Sequence, residues 1–337
     1  MVDSLATRMH LADLHGRVAT DLRLSLTDRC NLRCSYCMPA EGMSWIPKPE
    51  ILTDDEVVRL VRVGVERLGI TQVRLTGGEP LLRPGLVEIV GRISSLTAPP
   101  AISLTSNGIG LDKLAKPLAA AGLNRVNISL DTLDPATFRQ LAKRDRLGDV
   151  LAGLEAAAEA GMYPVKVNAV LLRGINDHDA PDLLAFCLER GYQLRFIEQM
   201  PLDPMHGWTR DQMITADEVM SWLSSRWRLS PDPLERGSAP AQTWLVDGGP
   251  ARVGIIASIT QPFCGDCDRV RLTADGQVRN CLFARQESDL RALLRGDATD
   301  EELADAWCRA MVGKAASHGV DDPNFRAPDR PMSAIGG

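Results

Sequence analysis

Six of the eight cysteines fall into two tight groups. Cys30, Cys34 and Cys37 have the spacing CxxxCxxC, while Cys264 and Cys267 form a CxxC pair followed by Cys281. Thiols so closely spaced point to metal chemistry where disulfides are disfavoured. Three thiolates from one loop hold three irons of a four-iron cluster and leave the fourth iron open. Such an iron can take the amino and carboxylate groups of S-adenosylmethionine and reduce its sulfonium, releasing a deoxyadenosyl radical. Zinc is the alternative, but structural zinc favours paired CxxC and needs a fourth ligand. Cys187 and Cys308 stand alone on helical patterns and read as small buried apolar side chains.

The neighbours of each group add to the reading. Tyr36 precedes Cys37 and can lie against an adenine ring. Thr76-Gly77-Gly78-Glu79-Pro80 follows the next strand, where glycines let a ligand approach the backbone and Glu79 can meet an ammonium. Around Cys264 and Cys267, zinc and a second open cluster start as equal readings. Arg269 and Arg271 follow at once, flanking Val270 on an extended segment, and two arginines beside an open iron suit a phosphorylated substrate. Arg23 sits inside a leucine-rich strand, where charge is expensive unless paired. Arg74, Lys166 and Arg195 repeat that placement. Together they suggest a polyanion-binding interior, although any one could be an ordinary salt bridge at its rim.

The elements that must position these residues alternate. Short aliphatic runs at 22–26, 72–76, 101–105, 125–130, 164–170 and 193–198 read as buried parallel strands. Amphipathic helices separate them: Thr53-Asp-Asp-Glu56 is a capping box, Asp134-Pro135 starts another helix, and 148–160 is rich in alanine and leucine. Six strand–helix units imply an α/β fold, a partial (βα)6 TIM-like barrel too short to close. Its chemistry belongs at the strand carboxyl ends, where the cysteines, the glycine motif, Ser106-Asn107-Gly108 and Ser129 to Asp131 all fall. A smaller α+β region, with strand-like pieces at 242–246, 252–256 and 270–273 and a last helix near 301–317, is expected to close the open side. The divisions are 1–20 as an extension, 21–214 as the barrel, 215–325 as the region carrying the second triplet, and 326–337 as a tail.

The chain has 337 residues, 45% hydrophobic and 24% charged, with a net charge of −6, which excludes a globally basic nucleic-acid binder. No apolar run is long enough for a membrane span and no signal peptide is read, so a cytoplasmic enzyme is expected.

CxxxCxxC with an aromatic before the last cysteine, then GGEP, resembles the radical S-adenosylmethionine superfamily. The segments 21–39 and 263–271, Cys281-Leu-Phe and the terminal Met332-Ser-Ala-Ile-Gly-Gly closely resemble its GTP 3′,8-cyclase family, which acts in molybdenum cofactor biosynthesis. The resemblance implies two [4Fe–4S] clusters, one on each triplet, with GTP bound through its guanine at the second. It implies that Arg23, Arg74, Thr105, Lys166, Arg269, Val270 and Arg271 contact GTP. Tyr36, Gly78, Ser129 and Met200 would contact S-adenosylmethionine, and Gly336 and Gly337 would reach the active site beside the catalytic arginines 23, 269 and 271. It also implies an external electron donor of flavodoxin or ferredoxin type and delivery to cyclic pyranopterin monophosphate synthase. A homodimer is possible. Another two-cluster radical enzyme, such as a peptide-modifying maturase, is the alternative. Residues 1–20 lie outside the resemblance and receive no role.

Overall fold

The computed structural model describes residues 9–203 and 205–336. Gly337, Pro204 and the first eight residues lie outside them.

The strands are β1 (Asp21–Ser25), β2 (Gln72–Thr76), β3 (Ala101–Ser106), β4 (Arg125–Ser129), β5 (Lys166–Val170), β6 (Gln193–Ile197), β7 (Leu229–Pro231), β8 (Gln242–Val246), β9 (Arg252–Ile256), β10 (Arg269–Leu272), β11 (Gln277–Arg279) and β12 (Ser288–Asp289). All join one sheet in the order β12-β11-β10-β1-β2-β3-β4-β5-β6-β9-β8-β7. The first six strands match the sequence reading, but the parallel part has eight. β10 lies parallel to β1, and β9 parallel to β6. The antiparallel pairs β7–β8–β9 and β10–β11–β12 cover the two ends, and the sheet stays open. The two added parallel strands pair with partners more than 50 residues away in sequence, Leu194 with Val253 and Asp21 with Arg269, whereas the hairpin partners are adjacent. Local patterns therefore reveal the hairpins and hide the two added parallel strands.

Helices follow the strands: α1 (Asp54–Leu68), α2 (Leu86–Ser94), α3 (Leu111–Ala121), α4 (Pro135–Ala142), α5 (Leu147–Glu159), α6 (Ala180–Arg190), α7 (Ala216–Ser224), α8 (Leu290–Arg295), α9 (Asp300–Val312) and α10 (Met332–Ile335). Thr53, Thr215 and Thr299 each complete a capping box with Glu56, Glu218 and Glu302. Gly69, in the left-handed region, stops α1, and α9 ends at Gly313 rather than running to 317 as its pattern suggests.

Alternation divides each strand between two faces. Leu22, Leu24, Val73, Leu75, Ile102, Leu104, Val126, Ile128, Val167 and Leu194 are fully buried in the apolar core. Their alternates, among them Arg23, Arg74, Thr105, Ser129 and Arg195, face inward. Cys187 packs in the core as expected, whereas Cys308 is half-exposed with its thiol 3.6 Å from the His10 carbonyl. No helix among the described residues is long and apolar enough to cross a membrane.

Candidate active site

Two cavities open on the inner face and share Thr105, Asn168, Ile197, Met200 and Met332 as a common wall. Each contains one cysteine triplet.

Cys30, Cys34, Cys37, Tyr36, Gly78, Ser129 and Met200 line the first cavity together. The loop after β1 turns tightly because the N–H groups of Cys37 and Met38 both donate to the Cys34 carbonyl at 2.9 Å. Its middle is fastened to α4: Arg33 N–H reaches the Ala142 carbonyl at 2.9 Å and Ser35 N–H the Leu141 carbonyl at 3.1 Å. Asn107, after β3, donates to Asn31 Oδ1 at 2.7 Å and lies 3.8 Å from Cys30 Sγ.

The glycine motif has a different primary task from the one its residues suggest. A Cβ at Gly77 would sit 2.3 Å from the Thr27 carbonyl, and one at Gly78 would sit 2.3 Å from the Arg29 carbonyl. The space left open is filled by the cysteine loop itself, which Gly78 N–H and Glu79 N–H bind at 2.7 Å each. Glu79 is buried, and its carboxylate accepts from Ser106 Oγ at 2.8 Å, Asn107 N–H at 2.7 Å and Leu81 N–H at 2.9 Å. It therefore ties β2 to β3 before it meets any ammonium. Burial pushes Glu79 up to about 7, against these hydrogen bonds. Gly78→Ala should push the Cys30 loop outward, lower iron binding at this triplet and cut deoxyadenosine formation by at least about tenfold, as expected where ~1–3 kcal/mol of packing is lost. Iron analysis and chromatography of the nucleoside check it.

Burial, with the charges of Cys30 and Asp131, pushes Cys37 up to about 12. Burial likewise pushes Asp131 up to about 6 while it accepts from Tyr36 Oη at 2.7 Å and Val170 N–H at 2.9 Å. Three half-buried thiols beside a carboxylate become stable thiolates only when cationic metal joins them, so this donor set fits an iron–sulfur cluster. Among the described residues no three Cys, His, Asp or Glu side chains converge tightly enough for a single ion.

The second cavity gathers Cys264, Cys267 and Cys281 with Arg23, Arg74, Arg269 and Arg271. Strand register explains the meeting. Arg23 pairs across with Arg271 on β10 and Arg74 on β2, and Asp21 pairs with Arg269. Three arginines thus lie side by side at strand spacing, an arrangement that opposes folding unless anions answer it. Asp21 supplies only part of the answer, 3.4 Å from Arg23 and 3.9 Å from Arg74. Arg23 Nε, Arg74 Nε and an Arg269 Nη stay buried without hydrogen-bond partners within the protein. Burial, and then Arg23 and Arg269, push Arg271 down to about 9, partly offset by Cys281 and Cys267. Burial raises the Cys267 thiol, yet Arg269 and Lys314 more than reverse that and bring it down to about 7. A thiolate near neutral pH suits metal ligation.

Arg195 also lines this cavity, held by Asn168 Oδ1 at 2.9 Å and Asn127 Oδ1 at 2.7 Å. The guanidinium groups of Arg236 and Arg269 each lie over the Phe263 ring, 4.8 Å from its centre. Pro240 and His318 complete part of the wall. Spacing alone carries no signal for Asn168, Pro240 or His318, because they are far apart in sequence from the cysteines.

Two of the expected contacts have a particular setting. The Val270 side chain is fully buried in the core, on the opposite face from its flanking arginines, so only its backbone is available. Lys166, at the start of β5, lies in the field of Arg195 and Arg74, which line the cavity. Burial, then Arg195, Arg125 and Arg74, push it down to about 7. The unfolded chain holds this proton up to about pH 10.4. Wild-type stability relative to Lys166→Met should therefore rise as pH goes from 7 to 10, and stay flat below 7. Denaturant unfolding of both proteins across that range checks the sign.

The tail enters the interior. Ser25 Oγ donates to the Ile335 carbonyl at 3.1 Å, and Arg271 Nη1 donates to the Gly336 carbonyl. Arg330 anchors the segment outside, its guanidinium on Asp275 at 2.8 and 3.0 Å and on Glu287 at 3.0 Å. Gly337 follows Gly336 and lies outside the described residues.

Residues 24–187 match the Radical SAM superfamily, and residues 192–320 match the family described as Molybdenum Cofactor Synthesis C. This fold and its cysteine loop define a radical S-adenosylmethionine enzyme. The chain is 64% identical to a GTP 3′,8-cyclase of Streptomyces coelicolor, covering 97% of this chain and 96% of that one. It is 58% identical to GTP 3′,8-cyclase 2 of Mycobacterium tuberculosis, covering 97% and 92%. The chain belongs to the GTP 3′,8-cyclase family. In fold it is similar to Streptococcus suis SuiB in structures with a precursor peptide (TM-score 0.57, 15% identity, 91% of this chain and 67% of that one) and with S-adenosylmethionine (TM-score 0.55, 15% identity, 93% and 70%).

Proposed function

We infer that this chain takes GTP to 3′,8-cyclo-7,8-dihydro-GTP, using two [4Fe–4S] clusters and S-adenosylmethionine, in molybdenum cofactor biosynthesis. The observation that carries the reading is the row Arg271–Arg23–Arg74, with unpartnered buried guanidinium nitrogens, in the same cavity as the second triplet. A polyphosphate is the ligand that such a row asks for.

Cys30, Cys34 and Cys37 would hold the cluster that supplies one electron to the sulfonium of S-adenosylmethionine, and Cys264, Cys267 and Cys281 would hold the other. Tyr36, Gly78, Ser129 and Met200 would line the cofactor. Arg23, Arg74, Arg269 and Arg271 would hold the triphosphate, with Thr105 in the wall between the cavities. The ribose would then lie toward the shared wall, where its 3′ hydrogen could meet a radical from the neighbouring cavity. The ribose loses that hydrogen, C3′ bonds to guanine C8, and one electron with one proton completes the product. The chain's contribution is orientation and exclusion of water. An acidic one-electron carrier of flavodoxin or ferredoxin type would supply electrons in the cytoplasm. Cyclic pyranopterin monophosphate synthase would take the product, and a homodimer is compatible with this scheme.

The test is anaerobic reconstitution with GTP, dithionite and S-adenosylmethionine, followed by mass spectrometry. The reading expects methionine, deoxyadenosine and a cyclised nucleotide of unchanged mass with a new retention time. Methionine and deoxyadenosine beside unaltered GTP would leave a radical enzyme with another substrate.

A further inference from the structure

The segment before β1, which had no role in the sequence reading, ends on the second cysteine triplet. His10 to Ala19 form a small hairpin: Ala12 bridges Val18, Ala19 N–H donates to the Leu11 carbonyl at 2.9 Å, and Asp13 N–H donates to the Arg17 carbonyl at 3.0 Å. Arg17 is buried, and its guanidinium spends four N–H groups inward. Nε donates to Asp13 Oδ2 at 2.6 Å, Nη1 to the carbonyls of Cys264 at 2.7 Å and Ala316 at 2.9 Å, and Nη2 to the Ala315 carbonyl at 2.6 Å. Asp13 is itself held by the N–H groups of His15 at 2.8 Å and Arg17 at 3.1 Å. Just beyond the hairpin, Thr20 and Asp21 N–H groups both donate to the Asp268 carbonyl, at 2.8 and 3.0 Å.

The carbonyls that Arg17 gathers belong to two different segments. Cys264 opens the second triplet, while Ala315 and Ala316 belong to the strap that follows α9. That strap also carries Lys314, buried, whose Nζ lies 2.8 Å from the Arg269 carbonyl and 3.4 Å from Cys267 Sγ. Only a planar fork can satisfy three carbonyls and a carboxylate at once, which a lysine ammonium cannot copy. We propose that Arg17, oriented by Asp13, is a positioning residue for the second cysteine triplet: it locks the Cys264 loop to the strap that brings Lys314 to Cys267. The proposal rests on the reading that this triplet binds a cluster, and it adds the N-terminal hairpin to that site.

The test compares wild type with Arg17→Lys and with the double variant Asp13→Asn/Arg17→Met, which removes both buried charges together. In metal-free protein, alkylation of Cys264, Cys267 and Cys281 followed by mass spectrometry should quicken about tenfold, as for one lost buried hydrogen-bonded group, while Cys30, Cys34 and Cys37 keep wild-type rates. After anaerobic reconstitution, iron should fall from about eight toward about four per chain, with deoxyadenosine formation retained. Unchanged alkylation at the second triplet in a folded variant would overturn the proposal. So would equal quickening at both triplets, which would make Arg17 a general scaffold residue. If the double variant does not fold, Arg17→Lys decides by the same measurements. Wild type binding only about four irons would instead defeat the two-cluster reading, and the metal-free alkylation result would still judge the clamp.

Discussion

Cys281→Ser should halve the iron of the reconstituted protein, from about eight to about four per chain, and abolish cyclisation while leaving S-adenosylmethionine cleavage in place. The separation follows from the two-cavity layout. Cys281 touches only the arginine-lined cavity, and the first triplet is held by contacts to α4, β2 and β3 that do not involve it. GTP would keep its phosphate contacts but lose the anchor for its base, and misplacement of about 1 Å at the reacting carbon costs ~10²-fold or more. The measurement is iron content together with deoxyadenosine and cyclised product from one reaction mixture. Unchanged iron with a loss of zinc would remove the second cluster from the scheme. Parallel loss of deoxyadenosine would show that the cavities are not independent.

The second large effect concerns the tail. Gly336 has φ +85°, and a Cβ there would lie 2.1 Å from Ser25 Oγ and 3.0 Å from Thr76 Cγ2, both at strand ends of the packed interior. Gly336→Ala should expel the tail, withdraw the carbonyl from Arg271 and lower turnover by ~10²-fold, with little change in global unfolding because the tail adds little to the apolar core. A compensating change sharpens the test. Ser25→Ala removes Oγ and leaves Cβ at 3.4 Å from the new methyl, an ordinary contact. The double variant Ser25→Ala/Gly336→Ala should recover part of the turnover, short of wild type because the 3.0 Å approach to Thr76 Cγ2 remains and alanine at positive φ still costs ~1–2 kcal/mol. Turnover and thermal unfolding of the four proteins decide it. No recovery in the double variant would mean that the clash with Ser25 is not what expels the tail.

Much of this molecule is readable from local order. A cluster corner is wrapped by one loop, so CxxxCxxC announces itself without knowledge of the fold. N-cap side chains act within one helical turn, which is why α1, α4 and α7 start where Thr53, Asp134 and Thr215 place them. The unexpected charges in leucine-rich strands also signal an interior that is polar on one face.

What remained hidden depends on register between distant strands. Nothing in the order of residues states that β10 lies beside β1, yet that pairing alone turns Arg23, Arg74 and Arg271 into one row and sends Val270 to the core. Pairing of β1 with β2 likewise sets Gly77 and Gly78 against Thr27 to Arg29, where they make room for the cysteine loop before any ligand. The sequence by itself therefore determined the radical-generating loop, the second thiol triplet and the α/β plan, because each is set by contacts over a few residues. The tertiary structure alone decided which cations converge, how the tail reaches Arg271 and why Arg17 touches Cys264. Those contacts join segments up to about three hundred residues apart, and only side-by-side strands with buried, mutually satisfied polar groups can specify them.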